Sequence, residues 1–303
     1  MTRRKARPGA PEGGLVVDKA SGLTSHDVVA MARRAFGQPR VGHTGTLDPL
    51  ATGVLPLLLG RATRLAQFLV ADLKAYDAVV RFGQDTSTYD ADGEPVGPSS
   101  TARVDEATVA SSLARFRGTF EQTPPAVSAK RVGGHRAYDL ARTQTEVALV
   151  PVTVAVHALE LIGCDGREAR LRIECSAGFY VRSLAHELGQ ALGVGAHLAA
   201  LRRTRSGRFT LEGAASIEQL VREPETLVTR LWPLADLVGH FPAAVATEEG
   251  RQRLGHGRLL ERGHLAAIPP AGSERVRILG QDRGLLAIAD YRADALHPVV
   301  VLM

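Results

Sequence analysis

Asp48 is the residue whose position most readily suits chemistry. It lies between Leu47 and Pro49 in the segment VGHTGTLDPLATGVL (residues 41–55), where glycines interrupt a loop and apolar residues follow. A carboxylate on such a loop can reach a ligand while apolar residues pack behind it. Aspartate before proline also commonly starts a turn, and the residue types alone favour that structural role. The same holds for His43, a single histidine in this loop.

Several common catalytic motifs are absent from the sequence. No Gly-Lys-Ser/Thr follows the glycines at 42 and 45, so the loop is not a Walker-type phosphate loop. There is no G-x-G-x-x-G after a predicted strand, no H-E-x-x-H and no G-x-S-x-G. The two cysteines are too few for a four-cysteine zinc site. We therefore expect no metal and no cofactor, and a reaction that uses side chains alone.

The positive charge is unevenly distributed. The 303 residues contain 37 Lys and Arg against 32 Asp and Glu, a net charge of +5. Four bases within the first seven residues belong to a segment rich in Arg, Pro and Gly, which we expect to be a flexible basic arm (residues 1–13). Bases also cluster at 115–142 and 182–208, whereas residues 85–106 are acidic. Such clusters suit a polyanion such as nucleic acid, but they also occur as solvated faces.

The overall composition is that of a globular protein, with 45% hydrophobic and 23% charged residues. The length predicts two domains, or one large domain with an appendage. No apolar run approaches the ~18 residues needed to span a bilayer, and no apolar segment of a secretory signal follows the basic N-terminus. We therefore expect a cytoplasmic protein with no membrane partner.

Apolar periodicity and turn signals predict the elements that would position these residues. Thr24 or Ser25 caps a predicted helix, alternating apolar residues predict a strand, and Asp165-Gly166 predicts a hairpin turn. The predicted helices span 26–36, 62–70, 105–116, 137–142 and 181–192, and the predicted strands span 74–82, 152–162 and 168–175. Beyond a boundary near 233–241, glycines punctuate short apolar stretches in the manner of a small β-barrel.

The segment from Gly42 to Leu55 is similar to the catalytic motif of the TruB family, the bacterial tRNA pseudouridine-55 synthases. Further segments resemble the family's other motifs in the same order along the chain. They are LVVDK (15–19), GLTSHD (22–27), KAY (74–76), RFGQDT (81–86), DADG (90–93), QTPP (122–125), SAK (128–130), RAY (136–138), SAGFYVRSL (176–184), GAH (195–197) and LRR (201–203). The resemblance covers about residues 14–232. Two residues depart from it: Ala20 replaces a usual proline and Val127 a usual tyrosine.

The resemblance implies an α+β fold of two domains. The catalytic domain, residues 14–235, would contain a mixed, largely antiparallel sheet flanked by helices. Residues 236–303 would form a small PUA-like β-barrel that binds RNA, although a purely structural appendage fits the same residues.

The resemblance also implies a set of site residues. Asp48 is the implied catalytic aspartate. The residues implied to bind substrate are His43, Tyr76, Tyr180, Arg182, Leu201 and Lys19. His43 would hold the extruded nucleotide, Tyr76 would stack on its base, and Arg182 would pair with the Asp48 carboxylate. Lys19 fits either a phosphate contact or a surface lysine.

Three neighbouring arginines are also expected to contact RNA. Arg202, Arg203 and Arg205 lie close in sequence to the implied site, and we expect them to meet tRNA phosphates.

The implied activity is isomerisation of the T-loop uridine at position 55 of tRNA to pseudouridine, after the base is flipped out of its stack. The partner would be the T-arm stem-loop of tRNA, bound by a monomer that needs no partner protein. Two routes for the first covalent step, an O-glycosyl adduct and a glycal, remain open. Two alternatives also remain, a guide-dependent synthase of the box H/ACA type and an RNA-folding protein with an idle pocket.

Overall fold

The computed structural model describes residues 9–70, 73–125, 131–132, 135–136 and 150–303. The expectations for residues 1–8 of the basic arm, for Val127 and for the helix over 137–142 lie outside these ranges.

Strands make up most of the regular structure in the described ranges. They are β1 (Gly13–Lys19), β2 (Val41–His43), β3 (Thr52–Leu59), β4 (Leu73–Phe82), β5 (Asp85–Thr86), β6 (Pro95–Val96), β7 (Gly118–Gln122), β8 (Arg131–Val132), β9 (His135–Arg136), β10 (Val152–Cys164), β11 (Glu168–Ser176), β12 (Ala196–Ser206), β13 (Phe209–Thr210), β14 (Ala215–Ser216), β15 (Ala243–Ala246), β16 (Leu265–Ala267), β17 (Arg275–Leu279), β18 (Leu285–Arg292) and β19 (Ala295–Val301).

Helices flank these strands. The α-helices are α1 (Ser25–Ala35), α2 (Glu106–Leu113), α3 (Val181–Ala191), α4 (Ile217–Arg222), α5 (Pro224–Leu227), α6 (Leu234–Leu237) and α7 (Glu248–Gly255). Short 3-10 helices span Gly60–Phe68, Ala114–Phe116, Val228–Arg230 and Arg262–His264. No helix in the described ranges is long and apolar enough to cross a membrane.

Ten strands form one large sheet. Its order is β14-β1-β3-β12-β4-β11-β10-β7, with β13 paired to β12 and β2 paired to β3. The β1–β14 and β3–β12 pairs are parallel, and the other pairs in this sheet are antiparallel. The expected α+β fold with a mixed, largely antiparallel sheet and flanking helices is therefore confirmed.

Several predicted elements are present within a few residues of their expected bounds. Thr24 caps α1 through a capping box with Asp27, because each side chain bonds the other residue's backbone N–H. The predicted strand corresponds to β4, and its alternating residues Tyr76, Ala78 and Val80 are all buried. Strands β10 and β11 form the predicted hairpin around residues 165–166.

Two elements differ from the sequence prediction. The segment predicted as a helix over 62–70 is a 3-10 helix over Gly60–Phe68. Strand β12 was not predicted, yet it lies between β3 and β4 near the centre of the large sheet. Its residues carry several arginines, a composition that indicates solvent exposure rather than a central strand.

The C-terminal strands form a separate sheet of five, in the order β16-β15-β17-β18-β19. Its two outermost strands do not pair with each other, so the described strands form an open sheet and the expected closed barrel is not present among them. The sheet is not isolated, because Leu237, Leu285 and Ile288 share one hydrophobic core with Val16 and Leu58 of the large sheet.

Candidate active site

A cavity of about 500 Å³ lies beside the central strands of the large sheet. Five of the predicted site residues line it, namely Asp48, Tyr76, Tyr180, Arg182 and Leu201. They come from the loop before β3, from β4, from the segment that begins α3, and from β12. The fold therefore brings together side chains that are up to 153 residues apart in sequence (48 to 201).

Arg182 links two carboxylates across this cavity. Its Nη2 lies 3.0 Å from Oδ2 of Asp48, and its Nη1 lies 3.5 Å from Oδ2 of Asp90. Nη1 also donates to the carbonyl oxygen of Thr88 at 3.2 Å. The predicted contact between Arg182 and Asp48 is present, but the guanidinium is shared between two acids and does not form a two-pronged pair with one.

The Asp48 carboxylate is partly exposed to the cavity, whereas its partner is not. The side chain of Asp48 retains 39% of its surface and that of Arg182 only 6%. Burial raises the pKa of the Asp48 carboxyl above its usual value, the Arg182 guanidinium acts in the opposite direction, and the Asp90 carboxylate raises it further. Asp48 is therefore an oriented carboxylate that is only partly stabilised by its surroundings, which suits a nucleophile.

Backbone contacts fix the loop that carries Asp48. The Ser25 hydroxyl donates to the carbonyl oxygen of Leu47 at 3.0 Å and accepts from its N–H at 2.8 Å. The N–H of Ala51 donates to the carbonyl oxygen of Asp48 at 3.1 Å. Ser25 is the first residue of α1, so the capped helix directly positions the loop that carries Asp48.

Lys19 also contacts the loop that carries Asp48. Its side chain is fully buried, and its ammonium donates to the carbonyl oxygens of Ala20 at 2.9 Å, Leu23 at 2.6 Å and Pro49 at 3.2 Å. Burial lowers the pKa of Lys19 to about 8, while the Asp48 carboxylate acts in the opposite direction. This position does not suit a phosphate contact or a surface lysine. Lys19 is instead placed to position the residue after Asp48.

Arg203 is also buried, contrary to the expectation that it meets a tRNA phosphate. It is 0% exposed. Its guanidinium donates to the carbonyl oxygens of Val54 at 2.8 Å, Thr46 at 3.3 Å and Gly45 at 3.0 Å. The expectation was wrong because β12 is an interior strand. The Arg203 side chain points to the loop before β3 rather than to solvent.

The neighbouring arginines differ from Arg203. Arg202 forms a two-pronged ion pair with Asp18, with N–O distances of 3.0 and 2.7 Å. Arg205 is exposed and donates to the carbonyl oxygen of Gly207 at 2.8 Å. Of the three arginines expected to contact phosphates, only Arg205 is both exposed and without a carboxylate partner among the described residues.

Tyr76 lies directly opposite Arg203 in the β4–β12 register. Burial raises the pKa of the Tyr76 phenol, and the nearby Arg203 guanidinium acts in the opposite direction. The ring is 7% exposed and forms part of the cavity lining. Arg203 therefore lies between the loop that carries Asp48, whose carbonyl oxygens it binds, and the tyrosine that lines the cavity.

Gln122 fixes the segment that carries Tyr180. The Tyr180 N–H donates to Oε1 of Gln122 at 2.8 Å, and Nε2 of Gln122 donates to the Tyr180 carbonyl oxygen at 3.1 Å. Tyr180 precedes the first residue of α3, and Arg182 is the second residue of that helix. The two cavity residues are thus positioned by a single buried amide.

His43 lies outside the cavity lining. It ends β2, and its ring packs edge-on against the ring of His26 with a centroid distance of 5.7 Å. The structure thus leaves His43 and Lys19 out of the lining of the cavity that the other five predicted site residues share, although Lys19 contacts the loop that carries Asp48.

Some residues that shape the site had no predicted role. Ser25, Asp90 and Gln122 occur in segments that resemble the family's motifs, GLTSHD, DADG and QTPP, and their place in those motifs was the available signal. All three are buried in the structure. Within the described ranges, no group of three or more His, Cys, Asp or Glu side chains is arranged to hold a metal ion.

Comparison with known proteins identifies the family. The model of the TruB family pseudouridylate synthase N-terminal domain matches residues 33–181, and that of the tRNA pseudouridylate synthase B C-terminal domain matches residues 182–237. A tRNA pseudouridine synthase B of Solibacter usitatus (strain Ellin6076) is 44% identical over 294 residues, which cover 96% of this chain and 100% of that protein. The chain belongs to the TruB family.

Other TruB relatives and solved structures agree with this assignment. A tRNA pseudouridine synthase B of Symbiobacterium thermophilum (strain DSM 24528 / JCM 14929 / IAM 14863 / T) is 46% identical, over 81% of this chain and 82% of that protein. The crystal structure of a Cbf5-Nop10-Gar1 complex contains a chain that is similar with a TM-score of 0.72 and 28% identity, over 96% of this chain and 85% of that one. TruB enzymes make pseudouridine 55 in tRNA, and pseudouridine synthases are isomerases.

Proposed function

We propose that this chain isomerises the T-loop uridine at position 55 of tRNA to pseudouridine. The observation that carries the proposal is the Asp48 carboxylate, which faces a nucleotide-sized cavity and lies 3.0 Å from a buried guanidinium. A carboxylate in this setting is oriented for attack and is only partly neutralised by its partner.

The target base must leave the RNA stack to reach this carboxylate. Extrusion costs a few kcal/mol, and the cavity offers contacts that offset this cost. Tyr76 and Tyr180 supply aromatic surface for the base, and Leu201 supplies an apolar contact on the β12 side.

The isomerisation then needs no added reactant. Asp48 acts as the nucleophile while the bond between ribose C1′ and uracil N1 breaks. The released uracil rotates within the cavity, and a new bond forms between C1′ and C5 as the carboxylate is displaced. The proton that C5 loses is balanced by one gained at N1, so the product has the composition of the substrate.

The remaining assignments extend this proposal. We infer that the chain acts in the cytoplasm as a monomer on the T-arm of tRNA, without a partner protein. The catalytic domain would span residues 14–235 and a PUA-like RNA-binding domain residues 236–303. Two features support this division: the family's C-terminal model ends at residue 237, and the later strands contain a core of their own that includes Ala244, Leu254 and Leu296.

The decisive test is tritium release from an unmodified tRNA transcript that carries uridine labelled at carbon 5. We expect wild type to release tritium and Asp48→Asn to release none while it still binds tRNA, because asparagine cannot attack. Asp294→Asn is the matched control, since it removes the same charge from an exposed residue outside the cavity lining.

The same assay separates the alternatives. A folded wild-type protein that binds tRNA but releases no tritium would overturn the proposal and favour a guide-dependent enzyme or an RNA-folding protein. Full release by Asp48→Asn would leave the activity intact but remove Asp48 from it.

A further inference from the structure

Lys74 lines the active-site cavity, yet the chemistry proposed above gives it no role. It lies in β4, two residues before Tyr76, so the two side chains are on the same face of the strand. Two residues of a strand span roughly 7 Å, which is comparable to the width of a nucleotide base. The Lys74 ammonium can therefore reach a base that stacks on Tyr76.

Lys74 and Arg182 are the two cations in the described lining of the cavity. Arg182 contacts the carboxylates of Asp48 and Asp90, which offset its charge. In contrast, the Lys74 ammonium has no ion pair and no hydrogen bond with any residue in the described ranges. The positive charge of Lys74 is therefore available to a ligand.

The residues beside Lys74 in the sheet do not neutralise it. Cys175 of β11 and Ser206 of β12 lie opposite Lys74 in the strand register. Burial raises the pKa of the Cys175 thiol to about 12, so this thiol is uncharged at neutral pH. Burial and the Arg203 guanidinium both lower the pKa of Lys74. An anion in the cavity would favour the charged form that these surroundings disfavour.

The proposed reaction forms an anion in this cavity. When the bond between ribose C1′ and uracil N1 breaks, its electron pair leaves with the uracil. The negative charge is then shared between N1 and the two carbonyl oxygens of the ring. This holds for both routes that are open for the first covalent step, because the uracil departs with the electron pair in each.

We propose that Lys74 is a further catalytic residue, whose ammonium donates to a carbonyl oxygen of the extruded uracil and stabilises the departing uracil anion. This inference rests on the proposed function, which places the uridine in the cavity. Asp48 is not among the groups that shift the pKa of Lys74, so the cation acts on the base and not on the nucleophile.

The ammonium takes no part in the exchange of bonds. The electron pair of the uracil anion forms the new bond between C5 and C1′, and the carboxylate leaves C1′ with the pair that it had shared. C5 then loses its proton and N1 gains one. Lys74 therefore keeps its own proton throughout and acts by its charge alone.

A contact of this kind affects the rate more than the binding of RNA. The bound uracil is neutral and gains little from the ammonium, whereas the anion gains much in a site that is shielded from water. Removal of one such donor typically lowers a rate by about 100-fold or more.

The test compares wild type with Lys74→Met, which keeps a long side chain but removes the charge. Single-turnover tritium release from the labelled tRNA transcript is measured at neutral pH with the protein in excess. We expect the rate to fall by about 100-fold, and Lys74→Arg to recover part of it because it restores the charge. Arg170→Met is the matched control and should retain the wild-type rate, because Arg170 is an exposed residue of β11 outside the cavity lining.

A tRNA with 5-fluorouridine at position 55 separates catalysis from a merely structural role. Fluorine withdraws electrons, so the departing base is more stable as an anion and needs less help. The single-turnover loss of 5-fluorouridine is measured on the nucleosides of the digested tRNA. We expect Lys74→Met to slow this reaction by a clearly smaller factor than the reaction of uridine. Equal factors would mean that Lys74 only supports the shape of the cavity, and would overturn the proposal.

Binding measurements separate the base from a phosphate as the partner of Lys74. tRNA binding is titrated at several salt concentrations for Asp48→Asn, so that no tRNA is converted, and for the same protein with Lys74→Met. A lost phosphate contact reduces the slope of log K against log salt by about 0.7–0.9, and we expect no such reduction. A reduced slope would assign Lys74 to a phosphate and overturn its role at the base.

Circular dichroism checks that each variant is folded, and Lys74→Gln replaces Lys74→Met if the latter is not. A wild-type rate of tritium release in the folded variant would overturn this inference while the proposed function stands. No release by wild type would instead be a failure of the proposed function, so the two failures are distinguishable.

Discussion

Arg182 orients Asp48, but it shares its guanidinium with a second carboxylate. The guanidinium is almost fully buried and contacts both Asp48 and Asp90. Asp90 increases the negative potential at Asp48, which opposes part of the stabilisation that Arg182 provides. The arrangement fixes the direction of the Asp48 carboxylate without strongly stabilising its charged form, which suits the proposed role as a nucleophile.

The pH dependence of the reaction follows from these shifts. Activity needs charged Asp48, and burial raises its pKa, so we expect activity to fall on the acid side at a pH above the usual aspartate range. On the basic side, Lys19 loses its proton near pH 8 and with it the positive charge beside Asp48. A single-turnover rate measured from pH 5 to 9.5 should therefore be bell-shaped.

A Lys19→Gln variant tests the basic side of this profile. It should lose the fall in activity near pH 8, and a basic limb that stays in place would contradict the assignment.

The raised pKa of Asp48 also makes the stability of the folded protein depend on pH. Between the usual and the raised pKa of Asp48 the native state binds more protons than the unfolded state, so wild type loses stability as pH rises through this window. Asp48→Asn should not show that loss in thermal melts.

Substitution of Arg203 tests whether this buried residue stabilises the folded protein or contacts RNA. Arg203→Gln leaves carbonyl oxygens of residues 45, 46 and 54 without donors, and each such group costs about 1–3 kcal/mol. We expect a clear fall in the free energy of unfolding and in activity, with the salt dependence of tRNA binding unchanged. Arg205→Gln is the control and should retain wild-type stability, because Arg205 is exposed. A reduced salt slope in Arg203→Gln would restore the phosphate role.

At the scale of the elements, the close approach of β3 to β12 depends on a glycine. Gly53 has φ +101°, and a Cβ there would lie 2.2 Å from the carbonyl oxygen of Arg203. Gly22 has a similar φ of +82° but no atom within 4 Å of the corresponding position. Gly53→Ala should therefore lower the melting temperature far more than Gly22→Ala, which carries only the backbone strain of about 1 kcal/mol. Equal losses in the two variants would mean that steric contact at Gly53 is unimportant.

Local signals explain which elements the sequence predicted. The cap at Thr24, the alternation along β4 and the turn at residues 165–166 each depend on neighbouring residues, and each prediction was confirmed. Strand β12 and the burial of Arg203 depend instead on carbonyls supplied by residues 45, 46 and 54. No local pattern shows that such distant acceptors will surround an arginine, so its charge suggested the surface.

At the scale of the whole molecule, the two sheets share a hydrophobic core. Leu237 and Ile288 pack with Val16 and Leu58 on the other side of the junction. We therefore expect the catalytic and C-terminal parts to unfold together. The chain has one tryptophan, Trp232, which lies at this junction. Its fluorescence and the far-ultraviolet circular dichroism should give coincident thermal transitions. Two separated transitions would show that the two parts are stable independently.

The hydrogen bonds from Lys19 and Arg203 to the loop that carries Asp48 have a consequence for substitutions in that loop. Both side chains bind main-chain carbonyl oxygens, which every amino acid possesses, rather than particular side chains. Thr46 and Pro49 are exposed, so substitutions there can change what the loop presents to an RNA while the anchoring bonds persist. The hydrogen bonds that hold this loop should therefore survive a change of side chain at either position.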